Sequence, residues 1–200
     1  ASFERIKKNI EKITENYEII FVDDGSTDNS AEILAKNAQR EKNLKVLQFS
    51  RNFGHQSAMF AGIEYSSGDG IFLIDADLQD PPEKFQEMYE KWVAGYDVVY
   101  GVRKSRQRRS FIRKFLYSTY HKVFKSLSDL KNQEDLVDFC LIDSKVRNEL
   151  IKLRENNVYF RGLRSWVGFK QIGIPYDQKD RELGETKYSI NKLFLLALDG

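Results

Sequence analysis

Acidic residues stand directly after two apolar runs of this chain of 200 residues. Asp23-Asp24 follows the run at 18–22, and Asp75 and Asp77 follow the run at 70–74. Such short, continuous apolar runs are typical of buried strands in a parallel sheet, and ligands bind at the carboxyl ends of such strands. Crowded carboxylates repel one another unless a cation or the hydrogen-bond donors of a ligand compensate them. The sequence therefore predicts a metal or nucleotide site at these strand ends.

The polar residues of the second strand end suit a hard divalent cation. Asp77 and Gln79 offer carboxylate and amide oxygens, which are ligands that Mg²⁺ and Mn²⁺ prefer. The alternative is that the carboxylates only cap the helices that follow them. That interpretation fits Asp28 and Asp80 better, because Asp80 precedes two prolines and Glu83, the pattern of an N-cap with a capping box. The carboxylates that directly follow the two predicted strands are not needed as helix caps, so they are free to bind a ligand.

These strand ends are positioned by regular alternation of strands and helices in the first half of the chain. Hydrophobic periodicity predicts helices over 3–15, 30–41, 54–66 and from 80 onward, and strands over 18–22, 44–49, 70–74 and 96–100. Alternation at this spacing indicates βαβ units and a parallel sheet, because parallel strands need a crossover helix. We therefore expect an α/β domain of the nucleotide-binding type.

The net charge of +2 conceals two halves of opposite sign. Residues 1–100 contain 11 Lys and Arg against 18 Asp and Glu, whereas residues 101–200 contain 21 against 12. The segment 101–128 has no acidic residue, and its apolar residues recur at intervals of three and four. This pattern predicts a basic amphipathic helix at an anionic membrane surface, with an ordinary helix packed on the sheet as the alternative. A second apolar stripe lies at 190–198.

Composition excludes several classes of protein. With 41% hydrophobic and 31% charged residues, the chain is neither collagen-like nor intrinsically disordered. No window approaches eighteen apolar residues, so no transmembrane helix is expected in the chain. The single cysteine, Cys140, has apolar neighbours and is expected to be a small core residue and not a nucleophile. His55 and His121 are expected to be structural or exposed.

Two other enzyme classes place aspartates at strand ends, and both fit less well. A response-regulator receiver is a shorter domain with no need of a long basic helix. A phosphatase of the haloacid-dehalogenase type needs a hydroxyl residue shortly after its second aspartate, where this chain has Leu78 and Gln79.

Four motifs together resemble one enzyme group. The segments Phe21–Asp28, Ser50–Gly54, Asp75–Pro82 and Gly184–Tyr188 are similar to those of polyprenyl-phosphate glycosyltransferases. These are the dolichol-phosphate mannose synthases and bactoprenol glucosyltransferases of glycosyltransferase family 2. The resemblance runs from about Tyr17 to the last residue and implies a GT-A fold. Such a fold is α/β, with a Rossmann-like, mostly parallel sheet flanked by helices, followed here by amphipathic juxtamembrane helices.

Carried over residue by residue, the resemblance implies a donor site and a metal site. Asp23 and Asp24 would contact the base and ribose of a nucleotide-sugar, and Ala76 would belong to the same site. A divalent cation, Mg²⁺ or Mn²⁺, would be held against the donor diphosphate by three side chains: Asp75, Asp77 and Gln79.

The resemblance also implies an acceptor site. Arg103 and Arg113 would bind the phosphate of a lipid acceptor, and Asp138 would act near that acceptor. An alternative for Asp138 is a structural carboxylate paired with a nearby arginine. Arg181 and Lys187 would close over the phosphates from the C-terminal segment. The implied catalytic residues are Asp75, Asp138 and Arg181.

The expected reaction is inverting transfer of a hexose from a nucleotide-sugar to polyprenyl phosphate, at the cytoplasmic face of the cell membrane. Residues 1–102 would serve the donor and residues 103–200 the acceptor within one catalytic domain. Similarity to the bactoprenol glucosyltransferases favours UDP-glucose, and no nucleic acid is expected as a partner. The alternatives are a soluble or polysaccharide acceptor, or a non-catalytic module that binds nucleotide-sugars.

Members of the group normally begin with a further strand and a Pro-x-Tyr-Asn-Glu-like turn, and commonly continue into transmembrane helices. Neither segment is expected within residues 1–200, and self-association through membrane segments is an open alternative.

Overall fold

The computed structural model describes residues 2–104, 137–153 and 159–178. The helices are α1 (Ser2–Ile10), α2 (Ser30–Arg40), α3 (His55–Tyr65), α4 (Phe85–Val93), α5 (Ser144–Lys152) and α6 (Phe160–Trp166), with a 3₁₀ turn at Pro82–Lys84. The strands are β1 (Ile19–Asp23), β2 (Leu44–Gln48), β3 (Gly70–Leu73), β4 (Val98–Arg103), β5 (Cys140–Asp143) and β6 (Gln171–Tyr176). Every helix and strand predicted before residue 100 is present, although α1 stops at Ile10 and β4 runs on to Arg103. Nearly all of the predicted basic helix and the whole stripe at 190–198 lie outside the described residues.

The sheet is mixed, because one strand among those described runs antiparallel to its neighbours. β1 pairs in parallel with β2, and the order of the other described strands is β3-β5-β4-β6. β5 is antiparallel to both of its neighbours, whereas β4 and β6 are parallel. The mixed character comes from the apolar residues around Cys140, which form a strand that inserts between β3 and β4. Those two strands still run in the same direction, as the βαβ pattern predicted.

Residues of β5, together with Phe139 just before it, alternate between the two faces of the core. Phe139 and Leu141 pack with α4 residues on one face, and Cys140 and Ile142 pack with α3 and α5 residues on the other. Such alternation follows from the two-residue period of a strand, and it buries both faces of the sheet. Cys140 is fully buried, and this burial raises the pKa of its thiol to about 11. The prediction of a structural cysteine is therefore confirmed.

A deep cleft separates the two groups of strands. No ladder joins β1 to β3 among the described strands, and residues 19–22 and 70–73 line the cleft between them. Apolar side chains of α1 and α3 line it as well, and its volume is about 1070 Å³. At the carboxyl ends of β1 and β3 the lining becomes polar, with Asp24, Asp75 and Asp138. Within the described helices, none combines the length and the apolar character that crossing a bilayer requires.

Candidate functional site

The acidic loop, residues 75–80 after β3, is held in a tight, strained turn. The Gln79 N–H donates to Asp77 Oδ1 at 3.1 Å, and the Leu78 N–H donates to the Asp75 carbonyl at 3.2 Å. Leu78 has a φ of 54°, in the left-handed region that side chains rarely adopt. Strain of this kind costs about 1–3 kcal/mol and persists where the surroundings fix the backbone, often at functional sites.

The carboxylates of this loop crowd one another. Partial burial raises the pKa of Asp75, and repulsion from Asp77, Asp80 and Asp138 raises it further, while His55 opposes the rise. Uncompensated negative charge at a strand end is the condition that a bound cation would relieve. Ala76 lies between the first two of these aspartates and lines the cleft.

The donor atoms of the loop fit a cation of the Mg²⁺ type. Among the described residues, no group of three or more His, Cys, Asp and Glu side chains is arranged to hold a metal. Mg²⁺ does not require such a cage, because it usually takes one or two carboxylates and completes its shell with water and substrate phosphates. Asp75 and Asp77 would supply the carboxylates, and Gln79 would add an amide oxygen, which accepts a hydrogen bond from Gln178 Nε2 at 3.2 Å.

Asp80 does not cap the next helix, and this corrects the predicted capping box. Its side chain is buried, and its Oδ1 accepts a hydrogen bond from the Tyr176 hydroxyl at 2.6 Å. The two carboxylate oxygens of Glu83 accept hydrogen bonds from Arg5, each at 2.8 Å. The local pattern misled because tertiary partners on β6 and α1 use both carboxylates. The two prolines do begin the turn, as expected.

Arg103 is brought to the acidic loop by Tyr176. Arg103 Nε donates to the Tyr176 hydroxyl at 3.0 Å, and its Nη2 lies 3.6 Å from Asp80 Oδ1. The ring of Tyr176 fits because residue 101 is glycine: a Cβ there would lie 2.5 Å from Tyr176 Cε1. The end of β4, the end of β6 and the acidic loop therefore meet at one hydroxyl group.

The acidic pair after β1 has two different roles in the structure. Asp23 is buried, and its Oδ1 accepts from the Ser26 N–H at 3.1 Å, while its Oδ2 has no hydrogen-bond partner among the described residues. An orphaned buried carboxylate oxygen is costly, so it indicates a place for a ligand donor. Asp24 instead accepts from the Phe53 N–H at 2.7 Å and the Gly54 N–H at 2.9 Å. Its carboxylate joins the first two sequence motifs.

Side chains of alternating charge lie in a row from the acidic loop to α6, and only the two aspartates of this row were predicted from the sequence. His55 Nε2 lies 3.8 Å from Asp75 Oδ1 and 3.5 Å from Asp138 Oδ2. Arg161 Nε donates to Asp138 Oδ1 at 3.1 Å. Burial acts to raise the pKa of Asp138, but His55, Arg161 and Arg164 outweigh it and hold that pKa below its ordinary value. No local pattern marks His55 or Arg161, since each meets Asp138 only through the fold.

Arg164 is a second feature that the sequence did not signal. It is fully buried, and its Nη1 donates to the Val137 carbonyl at 2.9 Å. Its Nε and Nη2 have no hydrogen-bond partner among the described atoms, and its guanidinium lies 5.0 Å from the centre of the Tyr100 ring. The guanidinium therefore adds positive charge behind Asp138.

Four of the predicted site residues line one end of the cleft: Asp24, Asp75, Ala76 and Asp138. Asp77 and Gln79 lie in the acidic loop, Arg103 is joined to that loop through Tyr176, and Asp23 is buried beside Asp24 at the end of β1. Arg113, Arg181, Lys187 and His121 lie outside the described residues.

The contacts of His55 give the metal-free protein a pH-dependent stability. Asp138 raises the pKa of His55 above its ordinary value of 6.5, burial opposes this, and Asp75 adds to it. The contribution of His55 is therefore complete below pH 6.5 and is lost as the pH rises through the raised pKa. Because the His55 side chain is 49% exposed, we expect this contribution to be at most about 1 kcal/mol.

Thermal melting of wild type and His55→Gln in EDTA measures this contribution. We expect the variant to melt at a lower temperature at pH 6, and the two proteins to converge at pH 9. A difference that stays constant or grows with pH would contradict the assignment of charge to His55.

Comparison with known proteins identifies the family to which the chain belongs. The sequence profile of the family described as Glycosyl transferase family 2 matches residues 2–152. The chain is 45% identical over 199 residues to the uncharacterized glycosyltransferase YkcC of Bacillus subtilis (strain 168), covering all of this chain and 62% of that protein. It is 36% identical over 183 residues to the prophage bactoprenol glucosyl transferase homolog of Escherichia coli (strain K12), covering 92% and 60% respectively. The chain therefore spans about three fifths of the length of these relatives.

Solved structures share the fold at low sequence identity. The mannosyltransferase PcManGT from Pyrobaculum calidifontis, in complex with GDP-Man and Mn²⁺, superposes with a TM-score of 0.54 at 16% identity, over 86% of this chain and 51% of that one. The GT-A fold expected from the four motifs is confirmed, with a mixed sheet. The chain belongs to glycosyl transferase family 2.

Proposed function

We propose that this protein transfers a hexose, with inversion, from a nucleotide-sugar to polyprenyl phosphate at the cytoplasmic face of the cell membrane. The observation that carries the proposal is that two acidic strand ends line one end of the cleft and have arginines beside them. Arg103 is joined to the acidic loop through Tyr176, and Arg161 donates to Asp138. Two anionic substrates need both a place for a cation and fixed positive charges. Relatives named bactoprenol glucosyl transferase support glucose as the hexose, and we propose UDP-glucose as its donor.

The donor lies against the carboxyl ends of β1 and β3 in this proposal. Asp23 and Asp24 serve the base and ribose, and Ala76 lines the same region. The orphaned Oδ2 of Asp23 supports this assignment, because the N–H of a base such as uracil or guanine can satisfy a buried carboxylate oxygen. Arg181 and Lys187 are proposed to close over the phosphates. Residues 1–102 thus serve the donor, and residues 103–200 serve the acceptor.

Mg²⁺ or Mn²⁺ would be held by Asp75, Asp77 and Gln79. When bound, such an ion offsets the charge that develops on the departing diphosphate. The chain contributes the crowded carboxylates that favour a cation, and the strained turn at Leu78 that aims them.

The reaction needs little acid–base chemistry. An oxygen of the acceptor phosphate forms a bond to the anomeric carbon while the bond from that carbon to the diphosphate oxygen breaks, and its electron pair leaves with the nucleoside diphosphate. A phosphate monoester is largely ionised at neutral pH, so no proton has to be removed before attack. Arg103 and Arg113 are proposed to hold that phosphate, since arginine recognises phosphate with two parallel hydrogen bonds. Asp138 is proposed to act near it.

The membrane location is proposed from the nature of the acceptor and from the positive charge of the segment 101–128. Polyprenyl phosphate resides in a bilayer, and the acid-free segment 101–128 offers cations and apolar residues to an anionic surface.

A panel of donors and acceptors with the full-length protein tests the proposal. Release of UDP from UDP-glucose should require polyprenyl phosphate and Mg²⁺, and GDP-mannose should react more slowly. Equal release with a soluble sugar acceptor would favour the polysaccharide alternative. Donor binding without product under any acceptor would favour a binding module.

A further inference from the structure

The hydroxyl group of Tyr176 joins the ends of two strands to the acidic loop. It donates a hydrogen bond to Asp80 Oδ1 at 2.6 Å and accepts one from Arg103 Nε at 3.0 Å. Only 1% of Tyr176 and 3% of Asp80 are exposed to solvent, whereas 44% of the Arg103 side chain is exposed. The hydroxyl and its carboxylate partner are therefore too deeply buried to touch a substrate, but the guanidinium that they hold is partly exposed.

The backbone fixes the position of this hydroxyl group. In the parallel ladder of β4 and β6, Arg103 lies opposite Tyr176, and the Lys104 N–H donates to the Tyr176 carbonyl at 3.0 Å. The Tyr176 ring meets Phe139 edge to face, with 5.4 Å between the ring centres, and it fills the space that Gly101 leaves open. The hydroxyl cannot shift without a movement of the sheet, so it is a rigid anchor for Arg103.

We propose that Tyr176 is a positioning residue for hexose transfer, whose hydroxyl holds the Arg103 guanidinium at a fixed distance from the carboxylates of the acidic loop. This inference rests on the proposed function, in which Arg103 holds the acceptor phosphate and the loop would hold a cation beside the donor diphosphate. Transfer joins an oxygen of that phosphate to the donor sugar, so the spacing of the two sites decides whether the reacting atoms meet. A misplacement of about 1 Å can lower a rate about a hundredfold.

The charges of Arg103 and Asp80 explain why a neutral hydroxyl is needed between them. Arg103 Nη2 lies 3.6 Å from Asp80 Oδ1, beyond hydrogen-bond distance, and the Tyr176 hydroxyl donates to the same oxygen. Without that hydroxyl the guanidinium would move in to pair with Asp80, because a buried carboxylate that lacks a partner is costly. Burial and the hydrogen bond to Asp80 raise the pKa of Tyr176 far above its ordinary value of 10.0, so the hydroxyl keeps its proton. Tyr176 thus keeps Arg103 from collapsing onto the acidic loop.

Steady-state kinetics of the full-length protein test this inference, with polyprenyl phosphate and nucleotide-sugar varied separately. The variants are Tyr176→Phe, Arg103→Gln, Arg103→Lys and the double variant Tyr176→Phe/Arg103→Gln. Tyr17→Phe is the matched control, because the Tyr17 hydroxyl also donates to a carboxylate, Glu11 Oε1 at 2.8 Å, but precedes the amino end of β1, opposite to the site. Calorimetric binding of geranyl phosphate, and of Mn²⁺ in the presence of UDP, does not depend on turnover. Thermal melting shows which variants are folded.

We expect Tyr176→Phe to lower kcat/KM for polyprenyl phosphate roughly tenfold or more and to weaken the binding of geranyl phosphate. Mn²⁺ binding with UDP should change by less than about threefold, because the turn at 75–79 has its own hydrogen bonds. Arg103→Gln should lose at least as much, and the double variant should be no worse than Arg103→Gln, since the hydroxyl acts through Arg103. Tyr17→Phe should match wild type.

Arg103→Lys keeps the charge but has no Nε–H that can bind the Tyr176 hydroxyl while the terminal group binds phosphate. We therefore expect Arg103→Lys also to lose about tenfold in kcat/KM for polyprenyl phosphate. This variant decides between the outcomes even if Tyr176→Phe does not fold. Wild-type kinetics in Arg103→Lys would show that charge alone suffices and that the hydrogen bond to Tyr176 is not needed.

Two further results would overturn the inference. One is a folded Tyr176→Phe protein with unchanged kcat/KM for polyprenyl phosphate and unchanged binding of geranyl phosphate. The other is additivity, in which Tyr176→Phe lowers the activity of Arg103→Gln as much as that of wild type, since the hydroxyl would then act without Arg103. Failure of the proposed function is distinguishable, because wild type would then transfer no hexose to polyprenyl phosphate from any donor.

Discussion

Replacing Asp77 with Ala should lower the rate of hexose transfer by about a hundredfold or more. Asp77 belongs to the crowded group that raises the pKa of Asp75, and its Oδ1 also accepts the Gln79 N–H that closes the turn. The substitution removes one of the two proposed carboxylate ligands and loosens the turn that aims the other. Loss of one group that stabilises charge in a transition state costs about 10²–10³ in rate.

Activity titrated with Mg²⁺ and Mn²⁺ is the measurement for Asp77→Ala, with Asp77→Asn beside it. Glu32→Gln is the matched control, because Glu32 is an exposed carboxylate on α2 that pairs only with Lys36 among the described contacts. Both Asp77 variants should need more metal than wild type, and Glu32→Gln should match wild type. Undiminished turnover in Asp77→Ala would contradict the metal assignment.

Replacing Gly25 with Ala should destabilise the protein by roughly 2–5 kcal/mol and weaken donor binding. Gly25 has a φ of 68°, which costs an L residue about 1–2 kcal/mol. A Cβ at this position would also lie 2.7 Å from the Asn52 amide nitrogen and against the Arg51 backbone, and such overpacking costs about 1–3 kcal/mol. The loops would have to separate, and the hydrogen bonds from Phe53 and Gly54 to Asp24 would lengthen.

Thermal melting and calorimetric binding of UDP measure the two effects of Gly25→Ala. Gly62→Ala is the matched control, because Gly62 lies inside α3 and its Cβ would be an ordinary 3.4 Å from a Val22 methyl. The control should be neutral or slightly stabilising, since Ala is favoured over Gly in helices by about 0.5–1 kcal/mol. A Gly25→Ala protein as stable as wild type, with unchanged UDP binding, would show that the close approach of the two loops is unimportant.

The sequence predicted most of the fold before residue 100, because each strand there is a short apolar run with a periodic helix after it. β5 was missed, since an apolar stretch around a lone cysteine does not reveal which strands it will lie between. The antiparallel insertion that makes the sheet mixed depends on that strand alone. Asp80 shows the opposite failure, in which a correct local capping pattern was overridden by Tyr176, which is distant in sequence.

The acidic half of the site was predictable for a physical reason. The carboxyl ends of strands that run in the same direction meet at one edge, so Asp24 and Asp75 were expected near each other, and both line the cleft. The cationic half was not predictable. His55 and Arg161 come from the first turns of two helices far apart in the chain, and only the packing of α6 on α3 brings both to Asp138.

The most direct test of hexose transfer to polyprenyl phosphate is mass spectrometry of the lipid fraction. The full-length protein is first incubated with UDP-glucose, Mg²⁺ and polyprenyl phosphate. The predicted result is a new lipid equal in mass to polyprenyl phosphate plus one hexose residue. It should be absent without Mg²⁺ and absent with Asp77→Ala. An unmodified lipid fraction, with the hexose recovered in a soluble or polysaccharide product, would contradict the assignment of polyprenyl phosphate as the acceptor.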